Sequence, residues 1–91
     1  MSYEIKQTTQ FRKDVKLARR RGYDLEKLLT VIGFLKEDIP LPTNYRDHAL
    51  SGDFCGYREC HIEADWLLVY RKSAQFLILT LFRTGTHGDI F

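Results

Sequence analysis

The sequence predicts a single α+β domain, residues 1–91, in which two N-terminal helices pack on one face of a mainly antiparallel sheet of four or five strands. Two observations lead to this fold class. Apolar residues recur at helical spacing over two segments of the first half, whereas after Asn44 they form short runs separated by turn residues. Helices that precede a set of strands in this way are typical of α+β domains. A chain of 91 residues is long enough to bury one modest core.

The first half begins with a short predicted strand at residues 3–7 and continues with two helices. Thr8 or Thr9 can cap the first helix, and Asp24 can cap the second. The second helix ends at the prolines of segment 39–42, because proline cannot continue a helix. The apolar stripes of the two helices are Phe11, Val15, Ala18 and Gly22, and then Leu25, Leu28, Leu29, Ile32 and Leu35. We interpret both stripes as core.

The second half is predicted to form an antiparallel meander. A turn signal at residues 51–53 precedes strands at 54–62, 66–70 and 76–82. The last of these strands is nearly continuous in apolar residues, as expected for a strand at the centre of a sheet. With both helices on one face, we expect the other face of the sheet to be free to bind a partner.

Positive charge is concentrated in the first helix, although the net charge of the chain is only +2. Against Glu4 and Asp14, the first 21 residues contain a cluster of basic side chains. The cluster consists of Lys6, Arg12, Lys13, Lys16, Arg19, Arg20 and Arg21. It predicts a polyanionic partner such as nucleic acid, and a solvated helix face is the alternative.

Several features favour a cytoplasmic protein. The chain has no run of eighteen apolar residues and no apolar stretch near Met1 that would serve as a signal peptide, so we expect no membrane association. Cys55 and Cys60 would lie about 16 Å apart on one strand, too far for a disulfide. We therefore expect free thiols, as in a reducing compartment.

Titratable side chains of the second half form the candidate site. Strand alternation puts Glu59 and His61 on one face and Cys60 on the other. The antiparallel order of the strands then brings four residues toward one rim of the sheet, which are His61, Asp65, Arg83 and His87. Such a set suits RNA cleavage, in which the 2′-hydroxyl attacks the adjacent phosphorus. Histidine or a carboxylate can accept the proton, histidine can protonate the leaving oxygen, and arginine can offset the phosphate charge.

These residues have competing interpretations. Surface histidines often have no chemical role, and Trp66, a possible platform for a base, is at a position where tryptophan is more often core. The spacing of Cys55, Cys60 and His61 matches no common zinc pattern, so we predict no metal site and no cofactor. His61-Ile62-Glu63 resembles the H-x-E of zinc deaminases, but the partner P-C-x-x-C is missing.

Segments along nearly the whole chain resemble the YafQ branch of the RelE-type toxins of bacterial toxin–antitoxin pairs. The segments are residues 11–18, 41–42, 45–52, 56–63, 65–70 and 83–87. The resemblance implies a RelE-like microbial RNase fold and a toxin that cleaves mRNA in the ribosomal A site without metal. It also implies a cognate antitoxin as partner, and we expect the free toxin to be monomeric. Glu59 stands where some relatives carry aspartate.

The resemblance also implies functional residues. By motif match they are His48, His61, Asp65, His87 and Phe91. We hypothesise that Asp65 or His48 accepts the 2′-hydroxyl proton, that His87 protonates the leaving 5′-oxygen, and that His61 and Arg83 position the phosphate. Trp66 and Phe91 would orient the mRNA base, and the basic helix, through Lys13, Lys16, Arg19 and Arg20, would bind ribosomal RNA. The competing hypotheses are a module of the same fold that binds RNA or protein without catalysis, and a toxin-fold protein that has lost its toxicity.

Overall fold

The computed structural model describes residues 2–91, which form five strands, two long helices and a short third helix. In chain order the elements are β1 (Glu4–Gln7), α1 (Thr9–Arg20), α2 (Leu25–Lys36), β2 (His48–Ala49), β3 (Arg58–Glu63), β4 (Trp66–Ser73), β5 (Ile78–Gly85) and α3 (His87–Ile90). Two 3₁₀ turns, Thr43–Tyr45 and Gly52–Phe54, flank β2. The predicted α+β class is confirmed.

The two long helices begin at the predicted caps. The Thr8 hydroxyl accepts a hydrogen bond from the Phe11 backbone N–H at 2.9 Å and itself donates to the Phe82 carbonyl in β5 at 2.8 Å. The Asp24 carboxylate accepts from the Glu26 N–H at 3.1 Å. Each cap satisfies a backbone donor that the first turn of a helix leaves unpaired. The cap at Thr8 also fixes the start of α1 against the sheet.

The sheet has the strand order β1-β5-β4-β3-β2. Only β1 and β5 pair in parallel, and the other neighbours pair antiparallel, so the mainly antiparallel meander is confirmed. In the register, His48 of β2 lies opposite Glu59 of β3. A bulge in β5 leaves Phe82 without an opposite residue in β4, because Val69 faces Arg83 while Tyr70 faces Leu81.

Both helices pack on one face of the sheet. The core there joins Phe11, Leu28 and Val31 of the helices to Cys60 and Ile62 of β3. Leu67 and Val69 alternate with residues of this core, lie outside it, and are nonetheless fully buried. The second face therefore carries its own cover of side chains.

The strand boundaries differ from the predicted ones for local reasons. Residues 54–57 are not part of β3, because the chain first makes the 3₁₀ turn and then passes through Gly56 at a φ of 96°. Both β4 and β5 extend further toward their C-terminal ends than predicted, and β5 is followed by the unpredicted helix α3. Among residues 2–91, no helix has the length and apolarity that crossing a membrane requires.

The two cysteines are free thiols, as predicted. Cys55 is exposed in the loop before β3, whereas Cys60 is fully buried under the helices. Burial raises the pKa of the Cys60 thiol to about 12. Because the thiolate is the reactive form, Cys60 is a structural residue without chemical activity at neutral pH.

Candidate active site

The three histidines meet on the second face of the sheet, around the carboxylate of Glu59. The Glu59 carboxylate lies 3.6 Å from Nε2 of His61, 3.8 Å from Nε2 of His48 and 3.9 Å from Nε2 of His87. His48 is positioned by its pairing opposite Glu59, and His61 by strand alternation two residues further along β3. His87 is positioned by the start of α3. Three separate parts of the chain thus converge on one buried carboxylate.

Glu59 is only 5% exposed, although it is an acidic residue. In the described part of the chain, its ion-pair partners within 4 Å are the three histidines. A buried carboxylate is costly unless a positive charge or hydrogen-bond donors compensate it. A proton taken up by any of the three rings at Nε2 would therefore face an anion. The cluster is suited to holding and moving a proton.

The ring of His48 is oriented by the backbone. Its Nδ1 lies 2.6 Å from the Arg46 carbonyl oxygen, which can only accept, so Nδ1 carries the hydrogen. In the neutral ring the lone pair is then on Nε2, which is directed toward Glu59. His48 is accordingly arranged to accept a proton at Nε2.

His87 is bound to Asp65 through both its ring and its backbone. The Asp65 carboxylate lies 3.0 Å from Nδ1 of His87 and accepts a hydrogen bond from the His87 backbone N–H at 3.1 Å. These two contacts lower the pKa of Asp65. Asp65 is therefore ionised at neutral pH and fixes the ring so that Nε2 of His87 faces the cluster.

The short helix α3 that carries His87 is anchored by Asp89. The Asp89 carboxylate accepts from the Thr86 backbone N–H at 2.9 Å, and the Thr86 hydroxyl accepts from the Asp89 N–H, which is a capping box. Two further bonds, of 2.6 and 3.1 Å, join the same carboxylate to the guanidinium of Arg21. Arg21 and the Thr86 N–H lower the pKa of Asp89. The position of His87 thus depends on an ion pair to the end of α1.

Gly85 is required just before this helix. Its φ is +154°, and a Cβ added there would lie 2.8 Å from Oδ2 of Asp89. Any other residue at this position would displace the carboxylate that caps α3. The turn from β5 into α3 therefore depends on glycine.

Arg83 does not join the histidine cluster in this structure. Its guanidinium donates to the buried Asp14 carboxylate of α1 at 2.8 and 3.3 Å, and to the Asp89 carbonyl at 3.2 Å. Asp14 also accepts from the Thr84 backbone N–H. Arg83 thus ties α1, β5 and α3 together beside the site, and its role toward phosphate stays a prediction.

The hypothesis that Trp66 stacks on a base is wrong. Its side chain belongs to the core beneath the helices and is only 2% exposed. Its indole N–H donates to the Thr84 hydroxyl at 2.9 Å, and its ring lies 4.9 Å from that of Tyr23. A ring enclosed in this way offers no face to a nucleotide. Phe91, the other predicted base contact, is 52% exposed, and its ring lies 6.3 Å from that of His87.

The basic side chains predicted to bind ribosomal RNA are all exposed. They are Lys13, Lys16, Arg19 and Arg20 of α1. Because α1 covers the other face of the sheet, these charges lie on the opposite layer of the molecule from the histidine cluster. They are available to a large partner rather than to the bond that is cleaved.

From the sequence alone, Glu59 is a polar residue of this strand and not a predicted member of the site. The available signal was its alternation with His61 on one face. What could not be seen was its burial, which comes from His48 and His87, residues distant in the chain. The anchoring roles of Asp14 and Asp89 were missed for the same reason.

The fold and the site define a small α+β protein with an acid–base cluster on one face of its sheet. A family model described as "Bacterial toxin of type II toxin-antitoxin system, YafQ" matches residues 3–91. A protein of Escherichia coli K12 named mRNA interferase toxin YafQ is 42% identical over 89 residues, which are 97% of this chain and 95% of that protein. The chain belongs to the YafQ family of toxins, as its sequence motifs predicted.

Solved structures agree with this assignment. The toxin in the E. coli DinJ–YafQ toxin–antitoxin complex is 40% identical and superposes with a TM-score of 0.91, over 100% of this chain and 99% of that one. A metal-bound toxin from Helicobacter pylori is also 40% identical, with a TM-score of 0.92 over 100% of both chains. Within residues 2–91 of the present structure, no group of three or more His, Cys, Asp or Glu side chains has a metal-binding arrangement.

Proposed function

We propose that this protein is an mRNA interferase, a ribosome-dependent endoribonuclease that cleaves mRNA in the A site and so inhibits translation. The observation that supports it best is the convergence of three imidazoles on the buried Glu59 carboxylate, next to the His87–Asp65 pair. Proton donors and acceptors in one place are what cleavage by a neighbouring 2′-hydroxyl requires. The family relationship supports the same activity.

The proposed reaction proceeds by attack of the 2′-oxygen on the adjacent phosphorus and departure of the 5′-oxygen. His48, whose Nε2 lone pair faces the cluster, accepts the 2′-hydroxyl proton. His87, fixed by Asp65, donates a proton to the leaving oxygen. The alternative is that Asp65 itself is the base, but its two contacts to His87 favour an orienting role. The products are a 2′,3′-cyclic phosphate and a 5′-hydroxyl.

The remaining predicted residues are proposed to serve binding. His61 contacts a non-bridging phosphate oxygen, and Arg83, held beside the site by Asp14, adds positive charge. Lys13, Lys16, Arg19 and Arg20 contact ribosomal RNA, and Phe91 contacts the base. The protein acts in the cytoplasm, is monomeric when free, and is inhibited by a cognate antitoxin. Its E. coli relative YafQ forms a toxin–antitoxin complex with DinJ.

Cleavage of mRNA on purified, programmed ribosomes tests this proposal directly. The change is His87→Gln, which keeps a polar side chain but removes the proton donor. We expect cleavage to slow by about 100-fold or more, because general acid–base catalysis contributes at least that much. Primer extension locates the cut, and end-group analysis identifies the cyclic phosphate.

Two controls complete the experiment. Circular dichroism must show that the variant is folded, and 1,10-phenanthroline, which removes transition metals but leaves ribosomal Mg²⁺, should not reduce cleavage by the unmodified protein. A folded His87→Gln variant that cuts at the unmodified rate would contradict the assigned role. If the unmodified protein binds ribosomes without any cut, the chain is the non-catalytic binding module instead.

A further inference from the structure

A row of aromatic rings extends from the histidine cluster along the second face of the sheet. The ring of Phe91 lies 4.9 Å from that of Phe54, which lies 6.4 Å from Phe82, and Phe82 lies 4.6 Å from Tyr57. At its other end the row meets His87 through Phe91. We call Phe91, Phe54, Phe82 and Tyr57 the aromatic row.

The aromatic row is separate from the main core. Its residues are absent from the buried cluster beneath the helices, and they come from the loop before β3, from β5 and from the end of the chain. Phe54, Tyr57 and Phe82 are half-buried, and Phe91 is more than half exposed. A contiguous set of accessible aromatic side chains is unusual unless it contacts a partner.

Charge and position indicate what that partner is. The guanidinium of Arg71 lies 5.4 Å from the centre of the Tyr57 ring, so the far end of the row has an exposed cation beside an aromatic face. Within residues 2–91, Arg71 belongs to none of the ion pairs. Aromatic rings next to an unpaired cation are how proteins bind single-stranded nucleic acid, since bases stack on the rings and phosphates bind the cation.

We propose that the aromatic row is a binding subsite for the single-stranded mRNA on one side of the bond that is cleaved. The nucleotide nearest the cleaved linkage contacts Phe91, a nucleotide further along stacks on Tyr57, and Arg71 binds a phosphate there. This inference rests on the proposed function, because it takes the strand held at His87 to be RNA. It adds Tyr57 and Arg71, to which neither the sequence motifs nor the acid–base cluster assign a role.

The first test compares Tyr57→Leu with Phe76→Leu in cleavage of mRNA on programmed ribosomes. Leucine keeps apolar volume but has no aromatic face. Phe76 is the matched control, since it is 68% exposed and lies in the turn between β4 and β5. We expect Tyr57→Leu to raise KM by about 5- to 100-fold, the range measured for losing one base–aromatic stack. Phe76→Leu should leave KM unchanged.

The second test separates stacking from a structural role by changing the RNA. Abasic nucleotides are placed one at a time on each side of the cleaved bond. At the position that contacts Tyr57, the abasic nucleotide should raise the KM of the unmodified protein by the same factor as the Tyr57→Leu substitution does. The same abasic nucleotide should not raise the KM of Tyr57→Leu any further. An unchanged KM for Tyr57→Leu would overturn the inference. So would a KM difference between Tyr57→Leu and the unmodified protein that stays the same with the abasic nucleotide at every position.

Failure of the inference can be told apart from failure of the proposed function. If the unmodified protein cuts mRNA and His87→Gln does not, but Tyr57→Leu behaves like Phe76→Leu, only the subsite is refuted. If the unmodified protein makes no cut, the proposed function has failed first. Arg71→Gln adds an independent measurement, because loss of one phosphate contact should make the salt dependence of RNA binding less steep.

Discussion

Glu59 shows how one residue can organise a site that it does not directly serve. Its carboxylate is nearly inaccessible, so it does not reach the RNA, yet it lies within 4 Å of Nε2 on each of the three histidines. The Glu59 carboxylate stabilises a proton on Nε2 of each ring and so favours rings with Nε2 directed inward. Under the proposed function, Glu59 is therefore a positioning residue, and the histidines are the groups that would meet substrate.

Replacing Glu59 by Gln should reduce the rate of cleavage at saturating ribosomes by about tenfold or more. The amide keeps the shape but removes the charge, so part of the acid–base contribution is lost. Single-turnover cleavage measures the rate, and Glu59→Asp should restore part of it. In a His48→Gln background the same change should cost less, because the interaction with the ring proposed as the base is already gone.

Glu63→Gln is the matched control for this change. Glu63 lies on the same strand, but it is exposed and pairs with Lys27 of α2. The Glu63→Gln variant should cleave mRNA at the rate of the unmodified protein. If Glu59→Gln cleaves as fast as Glu63→Gln while remaining folded, Glu59 has no positioning role.

The sequence supports residue-level predictions only as far as local geometry extends. Alternation along β3 correctly puts Glu59 and His61 on one face and Cys60 in the core. It cannot show that Glu59 is buried, because the groups that cover it come from β2 and α3. For Trp66 the sequence is compatible with a core position or a base contact, and the burial of its side chain and its hydrogen bond to Thr84 decide for the core.

At the level of elements, the sequence predicted neither the two-residue strand β2 nor the helix α3. Helix α3 has only four residues, too few for a periodic apolar pattern. Its signal is local, namely a threonine followed three residues later by an acid, which is a variant of the capping box. The stability of such a short helix has to come from tertiary contacts, and here Arg21 and Asp65 supply them.

The contact between Arg21 and Asp89 makes the stability of the protein depend on pH. The pKa of Asp89 is lower in the folded protein than in the unfolded chain, where it is about 3.9. Its stabilising effect is therefore fully present above about pH 4 and is lost as pH falls through the folded pKa. We expect Asp89→Asn to have a lower Tm than the unmodified protein at pH 7, with the difference shrinking below pH 4.

Thermal denaturation followed by circular dichroism at several pH values measures this effect. Asp53→Asn is a suitable control. It removes the same charge, and Asp53 lies exposed in the second 3₁₀ turn. A constant difference in Tm between Asp89→Asn and the unmodified protein across the pH range would show that Asp89 acts through packing alone.

At the scale of the whole molecule, the two layers have different surfaces. One layer, α1 and α2, presents the basic side chains, and the other presents the histidines and the aromatic row. The order of the two long helices and of strands β1, β3, β4 and β5 could be predicted, as could the helix layer, because periodicity and turn residues determine them. The lining of the second face could not, because it depends on loops and on α3, which bring distant residues together.

The basic layer should govern affinity for the ribosome and leave the chemical step unaffected. The double change Lys13→Gln/Lys16→Gln removes two exposed charges from α1, so ribosome binding should weaken. The slope of log K against the logarithm of salt concentration should become less steep by about two, one for each lost phosphate contact. Sedimentation with ribosomes at several salt concentrations measures this, and the maximal cleavage rate should not change. Lys27→Gln/Lys36→Gln removes equal charge from α2, which carries none of the four predicted contacts, and should have a smaller effect. Equal effects from the two pairs would argue against a specific contact by α1.

The buried position of Trp66 has a consequence for spectroscopy. It is the only tryptophan in the chain, and its indole is enclosed in the core, bonded to Thr84 and close to the ring of Tyr23. Its fluorescence therefore reports the integrity of the interface between the helices and the sheet. If RNA binds the second face as proposed, we expect that emission to stay unchanged, so that a single intrinsic signal would follow folding independently of substrate.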